Sequence, residues 1–173
     1  MRDVQRSKVY AAESLVCRIY DRAEQADTRT VELHGSTITL PIERRFASLE
    51  SIQRYVNAVL ALRWVRARWP TRATVPVTVR ARRGHAKAHY EQANATIAIP
   101  PHEQNRAWAM RELVLLHELA HHLEPSEVAQ PHGPEFTERY ATLVAEIVGP
   151  EAGLLLRTAM HESGVRMTDG IQL

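Results

Sequence analysis

Apolar residues change their spacing several times along this chain, and each change marks an element. From Arg2 to about Gln25, Val4, Tyr10, Ala11, Leu15, Ile19 and Ala23 fall close to a helical period with charges between them, which predicts an amphipathic helix. Tyr10, Leu15 and Cys17 are read as core or half-buried positions. Thr30 to Ile42 alternates instead, with Val31 and Leu33 before His34-Gly35-Ser36 and Ile38, Leu40 and Ile42 after it, the pattern of a hairpin whose turn leaves His34 exposed and inert. Helical spacing returns over Ser48 to about Trp69, through Leu49, Ile52, Val56, Val59, Leu60, Leu62 and Trp64, with Ser48 placed to cap the start and Trp69-Pro70 to stop it. Three strand-like runs follow, Thr74 to Arg82, His85 to Glu91 and Thr96 to Ile99, separated by Arg83-Gly84 and Gln92 to Asn94. Arg106 to Leu123 is a further helix with Trp108, Leu113, Leu116 and Leu119 as core contacts. Gly133-Pro134 opens another to about Val148, and Gly149-Pro150 separates it from a last one ending near Ser163.

Together these elements predict an α+β fold, a small sheet covered by the Ser48 helix and the Arg106 helix. With 173 residues and 45% hydrophobic content the chain can bury one real core and is short for two, so residues 1–173 are read as a single domain. One cysteine, Cys17, excludes an intramolecular disulfide framework, and nothing at the start reads as a secretory signal. No apolar run approaches the roughly 20 residues that a bilayer span needs. A cytoplasmic protein without membrane association is therefore expected.

The net charge of +2 hides an uneven distribution. Ser51 to Tyr90 holds nine basic residues and no Asp or Glu, whereas Glu91 onward holds five basic and twelve acidic ones. Such a block can follow a phosphate backbone, bind acidic peptide, or be a solvated face neutralised by the acidic third that follows. With weak overall charge and few aromatics, nucleic-acid binding is possible but not favoured, and Trp64 and Trp69 are read as core or rim rather than as base-stacking platforms.

Leu113 to Phe136 carries the chemistry. His117 and His121 are four apart on a helical segment, so both rings leave one face about a turn apart and can share one metal ion. A catalytic zinc usually takes three protein ligands and leaves a fourth position to water, and His132, at the head of the next helix, is the candidate third. Glu135 and Glu138 are its acidic rivals, Glu135 being more simply a first-turn carboxylate favoured by the helix dipole. Glu118, beside the first ligand, is placed to take a proton from water and return it to a leaving group, which is hydrolase chemistry. His122, four residues after Glu118, can orient that carboxylate, contact substrate or face solvent, the last being the preferred reading. Tyr140, eight residues after His132, joins His122 and Arg139 as a candidate for stabilising an oxyanion.

The pattern His117-Glu118-Leu119-Ala120-His121 followed by His132-Gly133-Pro134-Glu135-Phe136 resembles the SprT-like and related minimal zincin metallopeptidases. Within that group the chain is similar, along most of its length, to a family of small actinobacterial proteins described as metallohydrolases. That resemblance implies a zincin-like fold with a twisted mixed sheet, Zn2+ held by His117, His121 and His132, Glu118 as general base, and a peptide or protein substrate. It also implies that the strand Gly84 to Glu91 is an exposed antiparallel edge lining the cleft, where His85 and His89 share a face that can reach substrate. The chain lacks the metzincin spacing of the third histidine, and it lacks the four-cysteine ribbon of many SprT-like proteins. Three alternatives stay open: a DNA-associated protease using residues 51–90, a zinc amidohydrolase of a non-peptide substrate, and a non-catalytic interaction domain.

Overall fold

A computed structural model of the chain describes residues 3–82, 87–100, 107–126 and 129–168. Among the described residues it is a mixed α+β structure with two small sheets, and it divides into two compact units, Met1–Glu43 with Val128–Leu173, and Arg44–Glu127. No helix among the described residues is long and apolar enough to cross a membrane.

The first unit is built on α1 (Arg6–Gln25), which begins later than the Arg2 start expected from the pattern and buries a different stripe. Val9, Ala12, Glu13, Val16, Cys17, Tyr20 and Ala23 face inward, while Val4 is 51% exposed and Ala11 lies on the surface. The phase differs because the inward face includes Glu13, which hydrophobic spacing cannot announce. The hairpin forms as expected: β1 (Thr30–Leu33) pairs antiparallel with β2 (Ser36–Thr39) through His34-Gly35, both at positive φ. His34 is exposed and lies 3.0 Å from a carboxylate oxygen of Glu162. The last two helices of the chain also pack here, and the break between them rests on Gly149, whose φ of 152° suits glycine and whose absent Cβ would come within 2.9 Å of Pro41.

In the second unit α2 (Leu49–Ala61) starts at a Ser48 capping box and buries Ile52, Val56, Val59 and Leu60, each worth about 1.5–3 kcal/mol when fully buried. The long helix expected to run to Trp69 breaks at Leu62, where ψ swings to 131°. It continues as α3 (Arg63–Arg68) and α4 (Pro70–Ala73), and Trp64 and Trp69 are half-buried with their rings 6.0 Å apart. Thr74 is therefore the end of a helix rather than the start of a strand, and β3 is only Thr78–Ala81. Gln53 of α2 ties β3 in place, accepting from Val79 N–H at 2.8 Å and donating to the Val77 carbonyl at 2.8 Å.

The three-stranded sheet has the order β3-β5-β4, with β5 (Thr96–Ile99) parallel to β3 and antiparallel to β4 (His89–Glu91). The mixed sheet and the edge position of β4 match the sequence reading, but of the strand expected over Gly84 to Glu91 only His89–Glu91 is strand among the described residues, and His85 lies outside them. The helix expected from Arg106 divides: residues 107–109 are helical, then Arg111 is extended and bridges Arg45, so α5 is Glu112–His122. Main-chain bonds from Phe46 to Met110 and from Glu112 to Arg44, both 3.0 Å, stitch residues 44–46 to the start of that helix.

Candidate metal centre

Helix α5 is buried at every position but His121, which is half-buried, with Leu113, Leu115, Leu116, Leu119 and Ala120 fully inaccessible. Such a helix cannot roll, so side chains on its remaining positions are aimed by the packing around it. His117 and His121 project a turn apart, their ring centroids 5.0 Å apart and their Nε2 atoms only 3.2 Å apart. Glu118 between them is 2% exposed.

Polar clamps fix both ends of α5. At its start, the fully buried Glu112 carboxylate accepts from the Arg44 backbone N–H at 2.9 Å, Arg44 Nη1 at 2.7 Å and the Tyr55 hydroxyl at 2.7 Å. At its end, the expectation that His122 faces solvent is overturned: the ring is fully buried. Its Nε2 lies 2.9 Å from the Arg72 carbonyl and its Nδ1 2.9 Å from the Tyr90 hydroxyl, while Arg72 Nε donates to the His122 carbonyl at 2.8 Å. Burial, and then the Arg72 charge, push its pKa down to about 4, so the ring is neutral. His122 therefore bolts α5 to β4 through Tyr90.

In the other unit His132 precedes Gly133, the N-cap of α6 (Pro134–Ile147), with Pro134 in the first turn as the sequence predicts. The side chain is 5% exposed and sits beside Tyr10 and Phe136, at centroid distances of 5.5 and 4.9 Å. Its Nδ1 lies 2.6 Å from Asp3 Oδ2. A carboxylate accepts only, so this contact places a proton on Nδ1 and makes Nε2 the candidate ligand atom. One candidate ligand atom from each of His117, His121 and His132 lies within 4.8 Å of the others, close enough to hold a metal ion. Three imidazoles are a donor set that suits a borderline-soft divalent ion.

The other candidates fall elsewhere. Tyr140 is fully buried and its hydroxyl donates to Glu13 Oε2 at 3.1 Å, with burial first and then Glu13 holding its pKa well above the usual phenol value. Arg139 is buried and donates to the Glu135 carbonyl at 3.2 Å. Glu135 is exposed, and Glu138 is held by both terminal nitrogens of Arg157, at 2.8 and 2.6 Å, on the last helix, α7 (Pro150–Glu162). His89 is half-exposed on β4 beside Glu91, and burial followed by the Arg82 charge lowers its pKa. Sequence reasoning missed Asp3 and Glu112. A carboxylate in the first turn of the His117 helix hints at Glu112, but no local pattern links Asp3 to a residue 129 positions away. No protein-family model, no curated protein and no solved structure matches this chain.

Proposed function

We propose that this chain is a zinc-dependent hydrolase, a metallopeptidase of the SprT-like, minimal zincin kind, with His117, His121 and His132 as ligands and Glu118 as general base. The approach of three imidazoles to within 4.8 Å, with a buried carboxylate following the first of them, carries the reading. A zinc ion held there supplies Lewis acidity toward a water and toward the carbonyl under attack. The chain's own residues do the remainder. His117 and His121 hold their donor atoms at fixed separation because α5 is immobilised at both ends. Glu118 accepts a proton from the attacking water and passes it to the departing amine, and its burial limits competition from bulk solvent.

A peptide substrate is favoured over a small amide by β4, an edge strand against which α5 packs. An edge offers main-chain donors and acceptors to an extended chain. The basic stretch supports a nucleic-acid partner less well, since Arg54 pairs with Glu50, Arg80 pairs with Glu91, and Arg72 is engaged by His122 and Tyr90. The test pairs metal analysis with turnover of a peptide library by wild type and Glu118→Gln. Zinc near one per chain in both proteins is expected, with turnover lower by about 100-fold or more in the variant. A wild type that binds no metal, or a variant as active as wild type, refutes the proposal.

A further inference from the structure

Asp3 lies just ahead of α1, and its two carboxylate oxygens do different things. Oδ1 accepts the Arg6 backbone N–H at 3.1 Å, one of the amides that a helix start leaves without an intrahelical acceptor. Oδ2 faces His132 Nδ1 at 2.6 Å, with the imidazole 5% and the carboxylate side chain 21% exposed. Two residues on, the buried Gln5 takes hold of the same histidine by its main chain: Nε2 donates to the His132 carbonyl at 2.9 Å and to the Arg166 carbonyl at 3.2 Å, and Oε1 accepts from Arg166 N–H at 2.5 Å. One short segment thus fixes both the backbone and the ring of His132. Capping α1 needs only Oδ1, so the ring contact is an additional property of this carboxylate.

We propose that Asp3 is a positioning residue for the metal centre, taking the Nδ1 proton of His132 so that Nε2 keeps its lone pair and its aim. The inference rests on the proposed metal site and deepens it. A carboxylate behind a ligating imidazole fixes its tautomer and raises its basicity, and losing such a partner weakens metal binding by about 10–100-fold. Asparagine makes the logic sharp. With its amide oxygen retained as the Arg6 cap, its NH2 group turns toward Nδ1, which must then accept, and the ring proton moves to Nε2, where it blocks a metal. Serine tests the other side, because its hydroxyl can cap α1 but is too short to reach His132.

The experiment titrates Zn2+ into metal-free full-length chain against a chelator of known affinity for wild type, Asp3→Asn and Asp3→Ser. Long-range 1H–15N spectra of the histidine side chains and the zinc-free melting temperature are recorded alongside. Both variants are expected to bind zinc about 10–100-fold more weakly while melting near wild type, with the His132 proton on Nδ1 in wild type and shifted toward Nε2 in Asp3→Asn. Unchanged affinity in both variants, whether or not they melt earlier, makes the contact structural and overturns the proposal alone. A wild type that binds no zinc removes the metal reading, and this inference falls with it.

Discussion

Glu112 opens α5, and its replacement by alanine has a cost that can be worked from the geometry. The fully buried carboxylate accepts three hydrogen bonds, two from Arg44 and one from Tyr55. They do not weigh equally. The Arg44 side chain is 58% exposed, so its guanidinium can turn to water, and that contact contributes at most about 1 kcal/mol. The Arg44 backbone N–H and the Tyr55 hydroxyl are part-buried and lose this acceptor in place, at about 1–3 kcal/mol each where water cannot follow. Glu112→Ala should therefore destabilise the metal-free chain by about 2–6 kcal/mol, read by urea or guanidinium unfolding at constant slope. Glu112→Gln keeps an oxygen for Tyr55 and Arg44 Nη1 but sets its NH2 against the Arg44 N–H, for about 1–2 kcal/mol, and Tyr55→Phe removes one donor for about 1 kcal/mol. Alanine within about 0.5 kcal/mol of wild type, or glutamine as costly as alanine, would refute the claim that this clamp anchors α5.

Two further outcomes follow from packing and from charge. A Cβ on Gly153 of α7 would sit 2.5 Å from Ala145 Cβ and 2.8 Å from its Cα on α6, neither of which can swing aside. Gly153→Ala should therefore force the two helices apart and lower stability by about 1–3 kcal/mol in thermal unfolding, and an unchanged melting temperature would contradict the close approach. His122 has a folded pKa of about 4 against the usual 6.5, so the folded state favours the neutral ring. Its contribution is complete above pH 6.5 and is lost as pH falls toward 4, about 3 kcal/mol in all. Unfolding of the zinc-free wild type should lose that much relative to His122→Gln across this window, whereas parallel pH profiles would show that the ring is not held neutral.

What could be read from the sequence was whatever one local signal decides. Ser48 caps α2, His34-Gly35 turns the hairpin, Gly133-Pro134 opens α6, and Gly149-Pro150 divides the last two helices, each because backbone geometry at that point admits few residues. Helical spacing and the Gly-Pro start also sufficed to group His117, His121 and His132, whose ligand atoms the fold brings together. Where tertiary contacts decide, the pattern misleads. Leu62 breaks a helix that reads as continuous, and Arg111 is drawn into a bridge with Arg45, which delays the start of α5. Glu13 occupies the inward face of α1 because Tyr140 donates to it, so the apolar stripe reads out of phase.

The same distinction runs through the site. A helix buried along almost all of its surface, as α5 is, has no polar face to reveal which way its histidines look, and His122 reads as solvated when its partners are Arg72 and Tyr90, 50 and 32 positions away. The spacing of His117 and His121 is local because one helix would have to present two rings to one ion. The groups that orient those rings and set their proton positions come from wherever the chain returns, as Asp3 does to His132. If the centre holds metal as proposed, its ligands are its legible part, and its affinity is set by residues that sequence spacing leaves unmarked.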